Sequence, residues 1–230
     1  MIVKPRPAST VVLMDECSRV YMTKRPNTMK FFGGYYVFPG GAVEESDYWE
    51  GPEILKTVQE GESIPSAHYI AAARELFEEV GVLLCQTKDG KPAVLKDTAV
   101  LEYRRLMVNG ELTFLQMIKQ EGLKFHMRSL TPFGHLITPE VSKIRFDTRF
   151  FLAHLPTGQT PAPDENEVGE ACWLSPVEAL AAFQEEKILL APPTVLALKT
   201  IYDYLNGGPL HMPQLQGDEL FNYKLQLKSE

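Results

Sequence analysis

Apolar and polar positions follow two different periods along this chain, and the change of period marks its elements. "STVVLM" (9–14) and "RVYMTKR" (19–25) are β-branched runs around the polar turn "DECS", which predicts an opening hairpin. "FFGGYYVFPGG" (31–41) mixes aromatic strand formers with two Gly-Gly pairs, and reads as a strand ending in a tight turn where backbone approaches something closely. Residues 44–65 are polar and broken by Gly51, Pro52, Gly61 and Pro65, which predicts a loop with at most one short helix. The period then lengthens to that of a helix. Ile70, Ala73, Phe77 and Val80 form an apolar stripe, Ser63 or Ser66 is placed to cap its start, and Gly81 to end it. "VLLC" (82–85) predicts a short buried strand, and 97–122 a helical segment interrupted near Asn109-Gly110. "FGHLIT" (133–138) and "RFDTRFFLAHL" (145–155) return to strand character, and a turn-rich acidic loop follows, ending in another short strand. "PVEALAAFQEEK" (176–187) and "PPTVLALKTIYDYL" (192–205) read as helices with proline in the first turn. The order of elements predicts an α+β fold, arranged as an α/β/α sandwich. It reads as one domain over 1–230, with insertions at about 44–65 and 97–122 and a C-terminal extension over about 207–230.

At 230 residues and 44% hydrophobic, the chain can bury a full core. Its net charge of −7 argues against nucleic acid as a partner, because backbone-phosphate binding draws on clustered Lys and Arg. Three cysteines, Cys17, Cys85 and Cys172, are odd in number and far apart, which fits a reducing compartment and disfavours zinc. Pro5 and Pro7 interrupt any leader-like apolar run, no stretch is long enough to span a bilayer, and the terminal "KSE" matches neither the peroxisomal nor the reticular retention signal. These features predict a cytoplasmic protein with no membrane partner.

One stretch changes the picture. "RELFEEVG" (74–81) places Glu75, Glu78 and Glu79 at spacings of three and four on a helix, so their carboxylates crowd one patch. Each such pair costs about 0.2–0.5 kcal/mol unless something positive intervenes. Arg74 reaches only Glu78 by helical spacing. The patch is either a solvated acidic face or the seat of a divalent cation. The glutamates lie opposite the apolar stripe, with Arg74 at the border.

Together, "GG" at 40–41 and "RELFEEVGV" at 74–82 resemble the Nudix box, whose pattern is G, five residues, E, seven residues, R-E-U-x-E-E-x-G-U with U aliphatic. Arg74, Glu75, Leu76, Glu78, Glu79, Gly81 and Val82 stand at every fixed position of its second half. The first half departs: 33 positions separate Gly41 from Arg74, against 14 in the pattern. Counting forward places Asp47 at the first glutamate, and counting back places Ser66 there. One branch of the family, similar to the peroxisomal coenzyme A diphosphatases of animals, carries a variable insertion at this place. "VFPGG", "RFDTRFFLA", "WLSPVEAL", "LAPPT" and "GDELF" also resemble that branch, in the same order, from about Val37 to Phe221. The extra motif that precedes the box in the best-known bacterial coenzyme A diphosphatases is not found.

The resemblance implies a Nudix-type sandwich with a mixed central sheet and hydrolysis of a nucleoside diphosphate linked to another group. It implies coenzyme A or an acyl derivative as the small-molecule nucleotide substrate, giving 3′,5′-ADP and (acyl-)phosphopantetheine. Other dinucleotides or nucleotide sugars are the runner-up, and a Nudix-fold binding module without catalysis is the third reading. Mg²⁺ or Mn²⁺ would be held by Glu78 and Glu79, with Glu75 as a further ligand or the base, and the Gly40 carbonyl completing the site. Arg74 would orient a carboxylate, and Gly41 would let substrate approach. A later loop commonly adds an acid; Glu167 is the candidate ligand or base, with Asp164, Glu165 and Glu170 as competitors. Arg145 and Arg149 flank Asp147 in a predicted strand; either grips a phosphate, or pairs with Asp147. Tyr48 and Trp49 read as packing for their loop, the five histidines as surface or core residues, and a homodimer remains open.

Overall fold

The computed structural model describes residues 2–29, 32–49, 51–55, 64–164 and 168–215. Ser63, Glu165, Glu167 and the "GDELF" stretch lie outside them. The chain runs through β1 (Arg6–Met14), β2 (Val20–Lys24), β3 (Tyr36–Val37), β4 (Gly40–Ala42) and β5 (Ile54–Leu55), with a 3-10 turn at Glu45–Asp47. Then come α1 (Ser66–Val80), β6 (Cys85–Gln86), α2 (Asp97–Val108), α3 (Phe114–Gln120) and β7 (Lys124–His126). The last elements are β8 (Thr131–Ile137), β9 (Phe146–His154), β10 (Glu170–Leu174), α4 (Pro176–Gln184) and α5 (Pro192–Leu205).

A mixed sheet in the order β10-β2-β1-β9-β8 forms the centre, with β3 added to β2 and β4 to β1. β1 pairs in parallel with β9 along its whole length, and its first half also pairs antiparallel with β4. The unbroken run Val11–Met14 is apolar because both faces of β1 are covered. Val11 and Leu13 pack with α1, as do Phe151 and Ala153 of β9. Val12 and Met14 join Phe150 and Leu152 against α4 and α5. The two cores lie on opposite sides of one sheet, which is the expected α/β/α sandwich.

On the α1 side, a small sheet β5-β7-β6 and the helices α2 and α3 add a further layer. α1 is therefore covered beyond its apolar stripe: Ala71, Ala72, Leu76 and Arg74 are also buried. The face carrying Glu75, Glu78 and Glu79 is the strip that stays half-buried. Gly81 ends α1 in the left-handed conformation, φ 71°, as its position predicts. The start differs from expectation. Pro65 is the N-cap, Ser66 is the first helical residue, and among the described residues no side chain caps the helix. The strand after α1 also shifts, to Cys85–Gln86, leaving Val82–Leu84 as buried irregular chain. Tyr48 and Trp49, expected to pack, are 65% and 45% exposed.

Candidate active site

The site begins where β4 meets α1. Gly41 pairs with Ser9 of β1, and a methyl group at Gly41 would come within 2.4 Å of a Glu75 carboxylate oxygen. Only a residue without Cβ lets the carboxylate lie against this backbone. Gly40 beside it, at φ 156°, is held just as tightly against the backbone of Ser9 and Thr10.

Arg74 organises the acids. Its Nε and Nη2 donate to the two oxygens of Asp47 at 3.0 and 3.1 Å, and Nη2 also donates to the Ala42 carbonyl at 2.9 Å. Nη1 donates to Glu75 at 3.0 Å and to Glu78 at 2.9 Å. Helical spacing alone pointed to Glu78; the fold adds Glu75, Asp47 and Ala42. Burial disfavours the guanidinium charge, but the hydrogen bond to Asp47 and the fields of Glu75, Asp47 and Glu78 outweigh it, so its pKa is raised and the charge is secure. Asp47 is buried and takes a further bond from the Glu44 amide at 2.8 Å. Ser66 is the first residue of α1, and among the described residues it makes no bond to this network.

One guanidinium thus faces three carboxylates, with Glu79 on the same helix, and the cluster stays net negative. Among the described residues, no three His, Cys, Asp or Glu side chains converge closely enough to enclose a metal ion. The donor set nonetheless suits a hard cation: carboxylate oxygens on a half-buried face, in excess of the positive charge, beside the bare Gly40-Gly41 backbone.

Arg104 of α2, which no sequence pattern singles out, ties the next loop to this helix. Its Nη1 donates to the Ala162 carbonyl at 2.7 Å and its Nη2 to the Glu79 carbonyl at 2.9 Å. The amides of Ala162 and Asp164 donate to the carbonyls of Val80 and Glu79, at 2.8 and 2.9 Å. The last carbonyls of α1 are thereby satisfied, with a cation at its negative end. The acidic loop is pinned on both sides of Glu167, at Asp164 and by the Gly169 amide on the Lys24 carbonyl. Glu170 is engaged elsewhere: bonds from Tyr36 and Lys24 hold its carboxyl below the usual range.

The two arginines of "RFDTRF" part company. Arg145 precedes β9, and its guanidinium donates to the carbonyls of Thr138 and Val3, at 2.9 and 2.7 Å, an architectural role. Arg149 lies in β9 beside Ser9, and among the described residues its buried Nε has no partner. Neither pairs with Asp147, whose carboxylate meets His135 Nε2 at 2.6 Å. On α1, His68 Nδ1 lies 3.2 Å from both Ser9 Oγ and the Ala8 carbonyl.

Residues 51–201 match the family model described as the NUDT19 Nudix domain. An acyl-coenzyme A diphosphatase NUDT19 of Xenopus laevis is 27% identical over an alignment of 234 residues covering 84% of this chain and 62% of that protein. The Homo sapiens protein of the same name is 28% identical over 155 residues, 63% of this chain and 41% of that one. The chain therefore spans less than two thirds of the length of either relative. In three dimensions, the crystal structure of a NUDIX hydrolase from Alicyclobacillus acidocaldarius superposes with a TM-score of 0.81 at 24% identity, covering 93% of this chain and all of that one. Among the described residues, no helix is long and apolar enough to cross a membrane. With two thirds of its length under one family model, the chain belongs to the Nudix superfamily, in the NUDT19 Nudix-domain family.

Proposed function

We propose that this chain is a divalent-cation-dependent pyrophosphohydrolase, with coenzyme A or acyl-coenzyme A as substrate and 3′,5′-ADP and (acyl-)phosphopantetheine as products. The observation that carries the reading is the excess of carboxylate over guanidinium on the half-buried strip of α1, laid against Gly41. The names of the relatives support the substrate.

Pyrophosphate hydrolysis depends on positioning and charge neutralisation more than on covalent chemistry. Glu75, Glu78 and Glu79, with the Gly40 carbonyl and Glu167, would hold Mg²⁺ or Mn²⁺. When bound, the cation supplies a positive centre for the phosphate oxygens and lowers the pKa of its water. Arg74 fixes Glu75 and Glu78 from one nitrogen, so both carboxylates keep their bearing relative to the strand. Asp47 locks Arg74 in turn. Glu75, against Gly41, or Glu167 accepts the proton of the attacking water. Gly41 leaves room for the Glu75 carboxylate at the strand, and Arg149 is the arginine of the pair left to meet a substrate phosphate.

The same reading takes 1–230 as one domain, with 44–65 and 97–122 as insertions. Three free thiols support a reducing compartment, and we keep the cytoplasm as the proposed location. The test is turnover with Mg²⁺ and Mn²⁺ on coenzyme A, acetyl-coenzyme A, NADH, ADP-ribose and diadenosine polyphosphates. Coenzyme A esters hydrolysed best, and only with metal, is the expected result. A strong preference for ADP-ribose overturns the substrate, and no turnover of any of them overturns the enzyme.

A further inference from the structure

Strand register lays a row of residues across the face of the sheet that α1 covers. Gly41 of β4 pairs with Ser9 of β1, Ser9 with Arg149 of β9, and Arg149 with His135 of β8. Paired residues share a face. Ser9 Oγ donates to the His68 carbonyl of α1 at 2.8 Å, and Gly41 faces Glu75 of the same helix, which fixes which face it is. At about 4.8 Å per strand, Arg149 stands roughly 10 Å from Gly41.

Arg149 is an unusual occupant of that row. An arginine on a half-buried sheet face normally meets a carboxylate or a carbonyl. Among the described residues, Arg149 makes no hydrogen bond or ion pair, and its Nε is buried without an acceptor. The natural neutralising acid is two residues away on the same strand face, yet Asp147 bonds His135 instead, at 2.6 Å. An anion from outside the chain would supply the missing acceptors, and a guanidinium fork suits a phosphate.

We propose that Arg149, kept clear of Asp147 by His135, is a second anion subsite, which takes a phosphomonoester on the substrate's ribose while the pyrophosphate lies at the Glu75–Glu79 face. The placement of the pyrophosphate rests on the function proposed above. Phosphates at two oxygens of one ribose stand several ångströms apart, a span within reach of a guanidinium rooted two strand spacings from Gly41. The subsite therefore selects nucleotides with a 3′- or 2′-phosphate over those without one.

Equilibrium binding of 3′,5′-ADP and of 5′-AMP to the full chain with Mg²⁺ tests it without requiring turnover. Wild type binds 3′,5′-ADP more tightly, by about 10- to 100-fold, the range of a charge-assisted pair. Arg149→Gln brings that ratio close to one, and Arg149→Lys keeps part of it. His135→Ala frees Asp147 to pair with Arg149 and also lowers the ratio. A wild-type ratio near one overturns the subsite, as does an Arg149→Gln variant, folded by circular dichroism, that weakens both ligands equally. Coenzyme A turnover on the same preparations reports the pyrophosphatase separately. A binding preference that Arg149→Gln abolishes supports the subsite even where turnover is absent, and turnover without that preference overturns only the subsite.

Discussion

Replacing Asp47 by Asn removes one charge from the centre of the Arg74 network and changes little else. Asp47 accepts three hydrogen bonds, from Arg74 Nε and Nη2 and from the Glu44 amide, and both partners of the ion pair are almost fully buried. Asn offers one acceptor oxygen, so its amide nitrogen must face a donor. Breaking a buried ion pair from one side costs about 3–5 kcal/mol. Here Arg74 keeps Glu75 and Glu78, so its charge is not abandoned, and about 2–3 kcal/mol is the better figure after that discount. For a chain of this size that is a fall in melting temperature of about 4–12 °C. Ser66→Ala, the alternative equivalent of the missing glutamate, should stay within about 0.5 kcal/mol. Urea unfolding at constant m-value measures both. Once released by Asp47, Arg74 competes for Glu75 and Glu78, so Asp47→Asn should also raise the Mg²⁺ concentration needed for half-maximal turnover. A variant as stable as wild type, or Ser66→Ala equally damaging, refutes the account of Asp47.

Gly41→Ala drives a methyl group into the Glu75 carboxylate, and kcat/KM should fall about tenfold or more with little change in melting temperature. Arg104→Ala should speed hydrogen exchange at the Ala162 and Asp164 amides, measured by mass spectrometry, because the loop loses its anchor on α1. Burial first, then Arg149, depress the pKa of His68 below 6.5 against the opposing bond to Ala8. The unfolded chain then takes up the proton first, so stability is complete above about pH 6.5 and falls as the pH drops below it. His126 acts in the same direction. His68→Asn, which keeps a donor near Nδ1, should flatten the loss of stability between about pH 7 and 5.

The sandwich could be read from the chain because burial on both sides leaves its mark locally: Val11–Met14 is apolar at every position, and Gly81 is the residue a left-handed cap requires. The glutamate patch was equally plain, since helical spacing alone brings Glu75, Glu78 and Glu79 together. What stayed hidden depends on contacts between distant residues. Asp47 lies 27 positions from Arg74, and the longer spacing left it level with Ser66 until the fold paired it. Arg104 bonds backbone carbonyls, which carry no sequence label, so nothing marks it off from its neighbour Arg105 in the helical segment. Arg145 and Arg149 look alike in "RFDTRF"; they differ because β9 starts at Phe146, leaving Arg145 outside the strand to reach Thr138 and Val3.

The central claim is that the acidic face of α1 seats the cation that makes this chain a pyrophosphohydrolase. Steady-state release of 3′,5′-ADP from coenzyme A, with and without Mg²⁺, in wild type and in Glu78→Gln of matched melting temperature, tests it most directly. The account predicts Mg²⁺-dependent release by wild type and a kcat at least about a hundredfold lower in Glu78→Gln. Release that needs no divalent cation, or that survives Glu78→Gln undiminished, would contradict it.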